Sequence, residues 1–134
     1  MNVVAYVARG NAWRRDGVYD KAIADFRKSV ELGPDNAVAH NALACFLATC
    51  PDAQHRDGEA AVEHATKACE LTQWNDARCI DTLAAAYAET GDFDAAVKWQ
   101  QKAVDLSPEE SKADHRTRLK WYKSGQPLRD LPKQ

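Results

Sequence analysis

Apolar and small residues recur along this chain at helical spacing. Tyr6, Gly10 and Trp13 fall at i, i+4 and i+7, so they share one face of a helix, and Ile80, Ala84 and Tyr87 do the same. Ala-rich stretches follow: DKAIADF from Asp20, EAAVEHA from Glu59 and DAAVKWQ from Asp94. Each closes on one pattern, Lys28-Ser-Val-Glu31-Leu32, Lys67-Ala-Cys-Glu70-Leu71 and Lys102-Ala-Val-Asp105-Leu106, with leucines 39 and 35 residues apart. Ahead of each Ala-rich stretch lies a helix with a small residue near its middle: Gly10, Ala44 and Ala84, separated by 34 and 40 residues. The pattern predicts three helix–turn–helix units, each unable to bury its apolar stripe until a neighbour stacks on it.

Gly17 and Gly91 sit at the turns inside the first and third units, where a positive φ is cheap. Asp20 and Asp94 are expected to cap the helices that follow, and Lys–acid pairs at i, i+3 to support their exposed ends. The second unit breaks the period. Its turn, TCPDAQHRDG between Ala48 and Glu59, is five residues longer than its neighbours', and the junction TQWND carries one residue more than GPDN. Pro51 ends or redirects the first helix, and Asp57-Gly58 starts the next. This insertion is either a functional loop or a lengthened surface turn.

Beyond Pro108 the pattern changes. Ser107-Pro108-Glu109-Glu110 reads as a capping box opening one more helix, which runs to Ser124 and stops at Gly125 and Pro127. His115, Leu119 and Tyr122 form a narrow inward stripe, while Lys112, Arg116, Lys120 and Lys123 face elsewhere, as on a helix that closes a stack. The remaining QPLRDLPKQ is expected to be loose.

The units resemble tetratricopeptide repeats, whose signature is W-x2-L-G-x2-Y, then A-x3-F, then P. The first reads Tyr6-x2-Arg9-Gly10-x2-Trp13, Ala22-x3-Phe26 and Pro34; the third reads Ile80-x2-Leu83-Ala84-x2-Tyr87, Ala96-x3-Gln100 and Pro108. The second reads His40-x2-Leu43-Ala44-x2-Leu47 and Ala61-x3-Ala65, with Gln73 in place of proline. Arg9, Gln100 and Gln73 depart from the signature. The resemblance covers about residues 3–110 and implies an all-α, right-handed solenoid of about seven helices in a single domain, 1–134. Its repeats would span about 3–34, 37–75 and 77–110, with a capping helix at about 108–124 and a tail at 125–134.

In that family, the first helices of successive repeats line a concave groove that holds an extended peptide or a partner helix. The matching positions here are Val4, Val7, Asn11 and Arg14, then Val38, Asn41 and Cys45, then Arg78, Asp81, Thr82 and Ala85. Asn11 and Asn41 suit an extended backbone, because an amide donates and accepts together. Chaperone-binding members clamp a C-terminal carboxylate with two Lys, two Asn and one Arg. The matching positions here are Val7, Asn11, Ala42, Arg78 and Thr82, so the resemblance disfavours a chaperone tail. The insertion and the RLKWYKSGQP ending also resemble arrays in large bacterial proteins, which implies a piece of a longer, multidomain chain.

Composition narrows the function further. Five prolines and six glycines in 134 residues favour helix. The formal charge is −2, from 18 basic and 20 acidic residues, which offers no global reason for nucleic acid or an anionic membrane. Residues 111–134 nevertheless carry +5 against −7 for the rest, so nucleic acid through Lys112, Arg116, Lys120, Lys123 and Arg129 is the second reading. Stacking of the open first helix on another copy, as a weak homo-oligomer, is the third. No apolar run approaches the roughly 18 residues of a membrane span, and a cytoplasmic location is expected. Cys45, Cys50, Cys69 and Cys79 form no CxxC pair and read as small buried thiols. None of the common catalytic or nucleotide-binding motifs occurs. His64 and Cys69, five apart on one helix, point about 140° apart and cannot share a metal. The chain is therefore expected to be a non-enzymatic scaffold or adaptor without cofactor or metal, with Trp13 in the core and Trp74 and Trp99 as possible anchors.

Overall fold

The computed structural model describes residues 1–129. Among them it contains seven α-helices, one short 3-10 turn at Ala53–His55 and no strand. The helices are α1 (Val3–Arg15), α2 (Tyr19–Leu32), α3 (Ala37–Thr49), α4 (Gly58–Leu71), α5 (Ala77–Glu89), α6 (Phe93–Leu106) and α7 (Glu109–Lys123). The helices pack in sequential pairs, α1 on α2, α3 on α4 and α5 on α6, while α1, α3 and α5 touch in succession to form one layer. The architecture is an all-α helical-repeat solenoid.

Caps mark the beginnings. Asn2, Asn36, Asp57, Asp76 and Asp92 each accept a hydrogen bond from a backbone N–H in the first turn of the helix that follows. Two expected caps are corrected. Helix α2 starts after Val18 without a side-chain cap, and α6 is capped by Asp92, which leaves Asp20 and Asp94 inside their first turns, where the helix dipole favours an acid. The capping box at Ser107 is likewise absent: Pro108 holds the cap position, and Ser107 donates to the Ala103 carbonyl at 2.6 Å. Gly17 and Gly91 do take positive φ, 77° and 86°.

The small residues at the helix middles do the packing. Gly10, Ala44 and Ala84 are all buried. Phe26 lies fully buried against the Gly10 backbone and meets Phe46 at a centroid distance of 5.6 Å. Two signature departures are satisfied by polar contacts. Arg9 forms a bidentate pair with the buried Asp25, both bonds 2.8 Å, and Gln100 donates to Asp81 and to the His115 carbonyl at 3.0 Å each. The third, Gln73, sits in a junction where it and Trp74 adopt φ of 57° and 59°, a strained region for non-glycine residues. That turn brings Trp74 onto Trp99, rings stacked at 5.2 Å. Each of these two tryptophans therefore has a partner within the chain. Trp13 is half-buried, packs against the core cluster around Phe26 and carries Lys21 over its ring at 4.7 Å.

The long turn at 50–57 folds back on its own repeat array. His55 bonds Asp20 at 2.8 Å and packs its ring against Tyr19 and Phe46, while Arg56 donates to the carbonyls of Cys50 and Pro51.

Histidines 40 and 64, 24 residues apart, meet between α3 and α4. His40 donates from Nε2 to the Pro34 carbonyl at 2.7 Å, so its Nδ1 is left to accept from Nδ1 of His64 at 3.0 Å. Burial, and then the neighbouring His40, hold His64 below the ordinary histidine value; Glu63 opposes this and Arg27 adds to it. A depressed value means that the unfolded chain takes up the proton more readily. The stability contributed by this pair is then fully present above about pH 6.5 and is lost as pH falls below that. Denaturant midpoints measured at pH 7.5 and 5.5 should drop for the wild type, and His64→Gln should flatten that drop.

Candidate functional site

The inner layer of α1, α3 and α5 carries the eleven groove positions, and the structure divides them. On the side of α1 and the start of α3 the surface is open. Val4 and Val38 are 73% and 58% exposed, and with Val3, Val7, Ala8, Asn11 and Asn36 they line a hollow of about 270 Å3. Val7 forms its buried floor. Asn11 and Asn41 are half-buried, and Asn41 Oδ1 is buried without a hydrogen-bond partner. Arg14 and Cys45 are half-buried as well.

The other half is covered by the chain itself. Thr82 and Ala85 are buried, and Thr82 Oγ1 donates to the Arg78 carbonyl at 3.0 Å, so neither side chain is free for a partner. Asp81 faces α6 and α7, where it accepts from Gln100 of α6 and from His115 Nδ1 at 3.1 Å and Arg118 of α7. Burial alone would raise the Asp81 carboxyl, but the hydrogen bonds from His115 and Arg118 and the Arg118 charge outweigh it and hold the group below the usual carboxylate range. Tyr122 of α7 is almost fully buried beside this cluster, and burial pushes its hydroxyl well up. Arg78 remains exposed, yet it is paired with Asp76 at 3.1 Å.

The tail is a further correction. Pro127, Leu128 and Arg129 are half-buried, not loose; Leu128 packs against core clusters that include Ala85, Ala88 and Tyr122, and Arg129 pairs with Glu89 at 2.8 Å. Residues 130–134, which complete the expected tail, lie outside the described residues. Periodicity could not reveal this contact, because a four-residue segment without regular structure leaves no repeating signal.

All four cysteines are free thiols. Burial pushes Cys69 up to about 12 and raises Cys79 too, so neither supplies a thiolate near neutral pH. Among the described residues, no group of three or more His, Cys, Asp or Glu side chains is placed to hold a metal ion, and no helix is long and apolar enough to cross a membrane.

The tetratricopeptide-repeat family model matches residues 77–116, which span α5, α6 and the first half of α7. Residues 77–116 thus carry a tetratricopeptide-repeat unit. The fold is similar to that of the first such domain of Spaghetti (RPAP3) bound to the HSP90 peptide SRMEEVD. The TM-score is 0.74 at 18% identity, over 92% of this chain and 91% of that one. It is similar also to the N-terminal domain of stress-induced protein-1 from C. elegans, with a TM-score of 0.62 at 20% identity over 90% and 94%. No curated protein matches this chain by sequence.

Proposed function

We propose that this chain is a non-enzymatic protein–protein interaction module, a scaffold or adaptor of the cytoplasm, that binds a peptide or partner helix in the concave face of its repeats. The domain would be the whole of 1–134, with repeats at 3–34, 37–75 and 77–110 and a closing helix at 108–124. The observation that carries the reading is the open apolar hollow between α1 and α3, with exposed Val4 and Val38 at its rim and the amides of Asn11 and Asn36 in its lining. Exposed valines beside amides suit a ligand that buries an apolar side chain and pairs its backbone.

The HSP90 peptide held by the first of the two similar structures is not carried over. At the clamp positions, Val7 and Thr82 are buried, Ala42 has no polar group, and Arg78 is engaged by Asp76, so a chaperone carboxylate would meet only Asn11. The nucleic-acid reading also loses support. Of its five cations, Lys112 pairs with Glu109 at 3.2 Å and Arg129 with Glu89.

Selection of binders from a displayed peptide library supplies the test. Asn11→Ala/Asn41→Ala should weaken the selected peptides by roughly ten-fold or more, since each buried group left unpaired costs about 1–3 kcal/mol. Thermal stability should hardly move, because Asn41 Oδ1 has no partner to lose. Lys120→Glu/Lys123→Glu should leave the affinity intact. Equal affinity for the asparagine variant, with loss in the lysine variant, would assign binding to α7 instead.

A further inference from the structure

Two features left over from the sequence, the long turn of the second unit and the segment after α7, converge on one carboxylate. The chain reverses after α7, with the Gln126 amide donating to the Trp121 carbonyl at 2.9 Å, and Pro127–Arg129 then returns over the C-terminal ends of the inner helices. Leu128 covers the alanines there. Arg129 Nη2 lies 2.8 Å from one oxygen of Glu89, and Arg56 Nε lies 3.4 Å from the other.

We propose that this place is a second ligand subsite of the groove, built for an extended segment in which an apolar residue is followed by an arginine, and that residues 126–129 occupy it as a competing strap. The proposal rests on the groove reading above and names the chemistry of its partner. Glu89 ends α5, where the helix dipole adds negative potential and favours an incoming cation. Arg56 holds Glu89 without help from the tail, because the Cys50 and Pro51 carbonyls fix its guanidinium at 2.7 and 3.2 Å. When Arg129 leaves, the carboxylate keeps one partner and its position. Ala85 and Ala88 are small, so a branched apolar side chain fits above them. The strap holds through these two contacts, and a hollow of about 470 Å3 separates it from Thr117, Arg118 and Trp121 of α7.

The probe is a fluorescent, N-acetylated peptide of residues 124–134, titrated by anisotropy into the full chain and into full-length Leu128→Ala/Arg129→Ala. A tethered strap competes at an effective concentration on the order of millimolar. The variant should therefore bind the peptide at least ten-fold more tightly than the wild type. Adding Glu89→Gln should reduce that binding ten-fold or more, and a peptide carrying Glu in place of Arg129 should fail on Glu89 and bind full-length Glu89→Lys with Leu128→Ala/Arg129→Ala. Should the double variant lose its helical circular dichroism, Arg129→Glu alone gives the released state. A folded released variant that ignores the peptide, or binds it no better than wild type does, overturns the proposal. Library-selected peptides that still depend on Asn11 and Asn41 would then leave the groove reading standing, whereas selected peptides indifferent to them would remove the groove reading itself.

Discussion

Gly10→Val is expected to lower the unfolding free energy by about 3 kcal/mol, the upper end of what overpacking costs. A Cβ at position 10 would stand 2.8 and 2.9 Å from two ring carbons of Phe26, closer than carbon atoms tolerate, so one of the two must move. Phe26 is fully buried and braced by Phe46, so its ring has nowhere to go without opening the α1–α2 contact. Ala24→Val on the exposed face of α2 is the matched control and should stay within about 0.5 kcal/mol. Gly10→Val/Phe26→Leu should recover part of the loss, because the smaller side chain vacates the colliding atoms. Urea melts of these four proteins and of Phe26→Leu alone decide it. Additive losses in the double variant would mean that the damage at position 10 arises somewhere other than the ring.

Asp81→Ala is expected to cost about 3–5 kcal/mol, the penalty for removing one partner of a buried pair. The substitution strands the Arg118 guanidinium, leaves His115 without its acceptor and leaves Gln100 only the His115 carbonyl. It also cuts the main polar tie between α5 and α7. Amide exchange should therefore speed up along α7, around Leu119 and Tyr122, before it does in α3. Asp94→Ala, exposed at the start of α6, should change little. Acid should mimic the variant. The Asp81 value is depressed in the folded chain, so its stabilisation is present above the unfolded carboxylate value of about 3.9 and is lost as pH falls below it. A wild type whose α7 protection persists unchanged at pH 3 would contradict the role assigned to this carboxylate.

Much of the fold was legible in the residues. Periodicity marks an interior position by its neighbours three and four places away, and that local rule finds Gly10, Ala44 and Ala84 at once. The turn glycines were legible for a similar reason: Gly17 and Gly91 stand where the backbone needs a positive φ. Caps were harder. A shift of two residues moves Asp94 from the cap into the first turn, and an acid stabilises either place, so the sequence alone does not separate Asp92 from Asp94. The departures from the repeat signature proved informative once partners were visible. Arg9 is there for Asp25, and Gln100 is there for Asp81 and the His115 carbonyl.

The candidate site divides along the same line. The residue pattern by itself determined three stacked helical pairs, an inner layer and the residues that face it, because those follow from 3.6 residues per turn and from the need to bury one stripe. Which of those residues are open to a partner was decided only by the tertiary structure. Val4, Asn11 and Val38 stay accessible, whereas Asp81 is spent on α7 and Ala85 lies under a strap 43 residues further along the chain. Contacts such as His40 with His64, Arg56 with Glu89 and Arg129 with Glu89 join residues tens of positions apart. No local spacing rule encodes them, since each depends on how far the chain turns between the two partners and on which long polar side chains end up facing a buried charge.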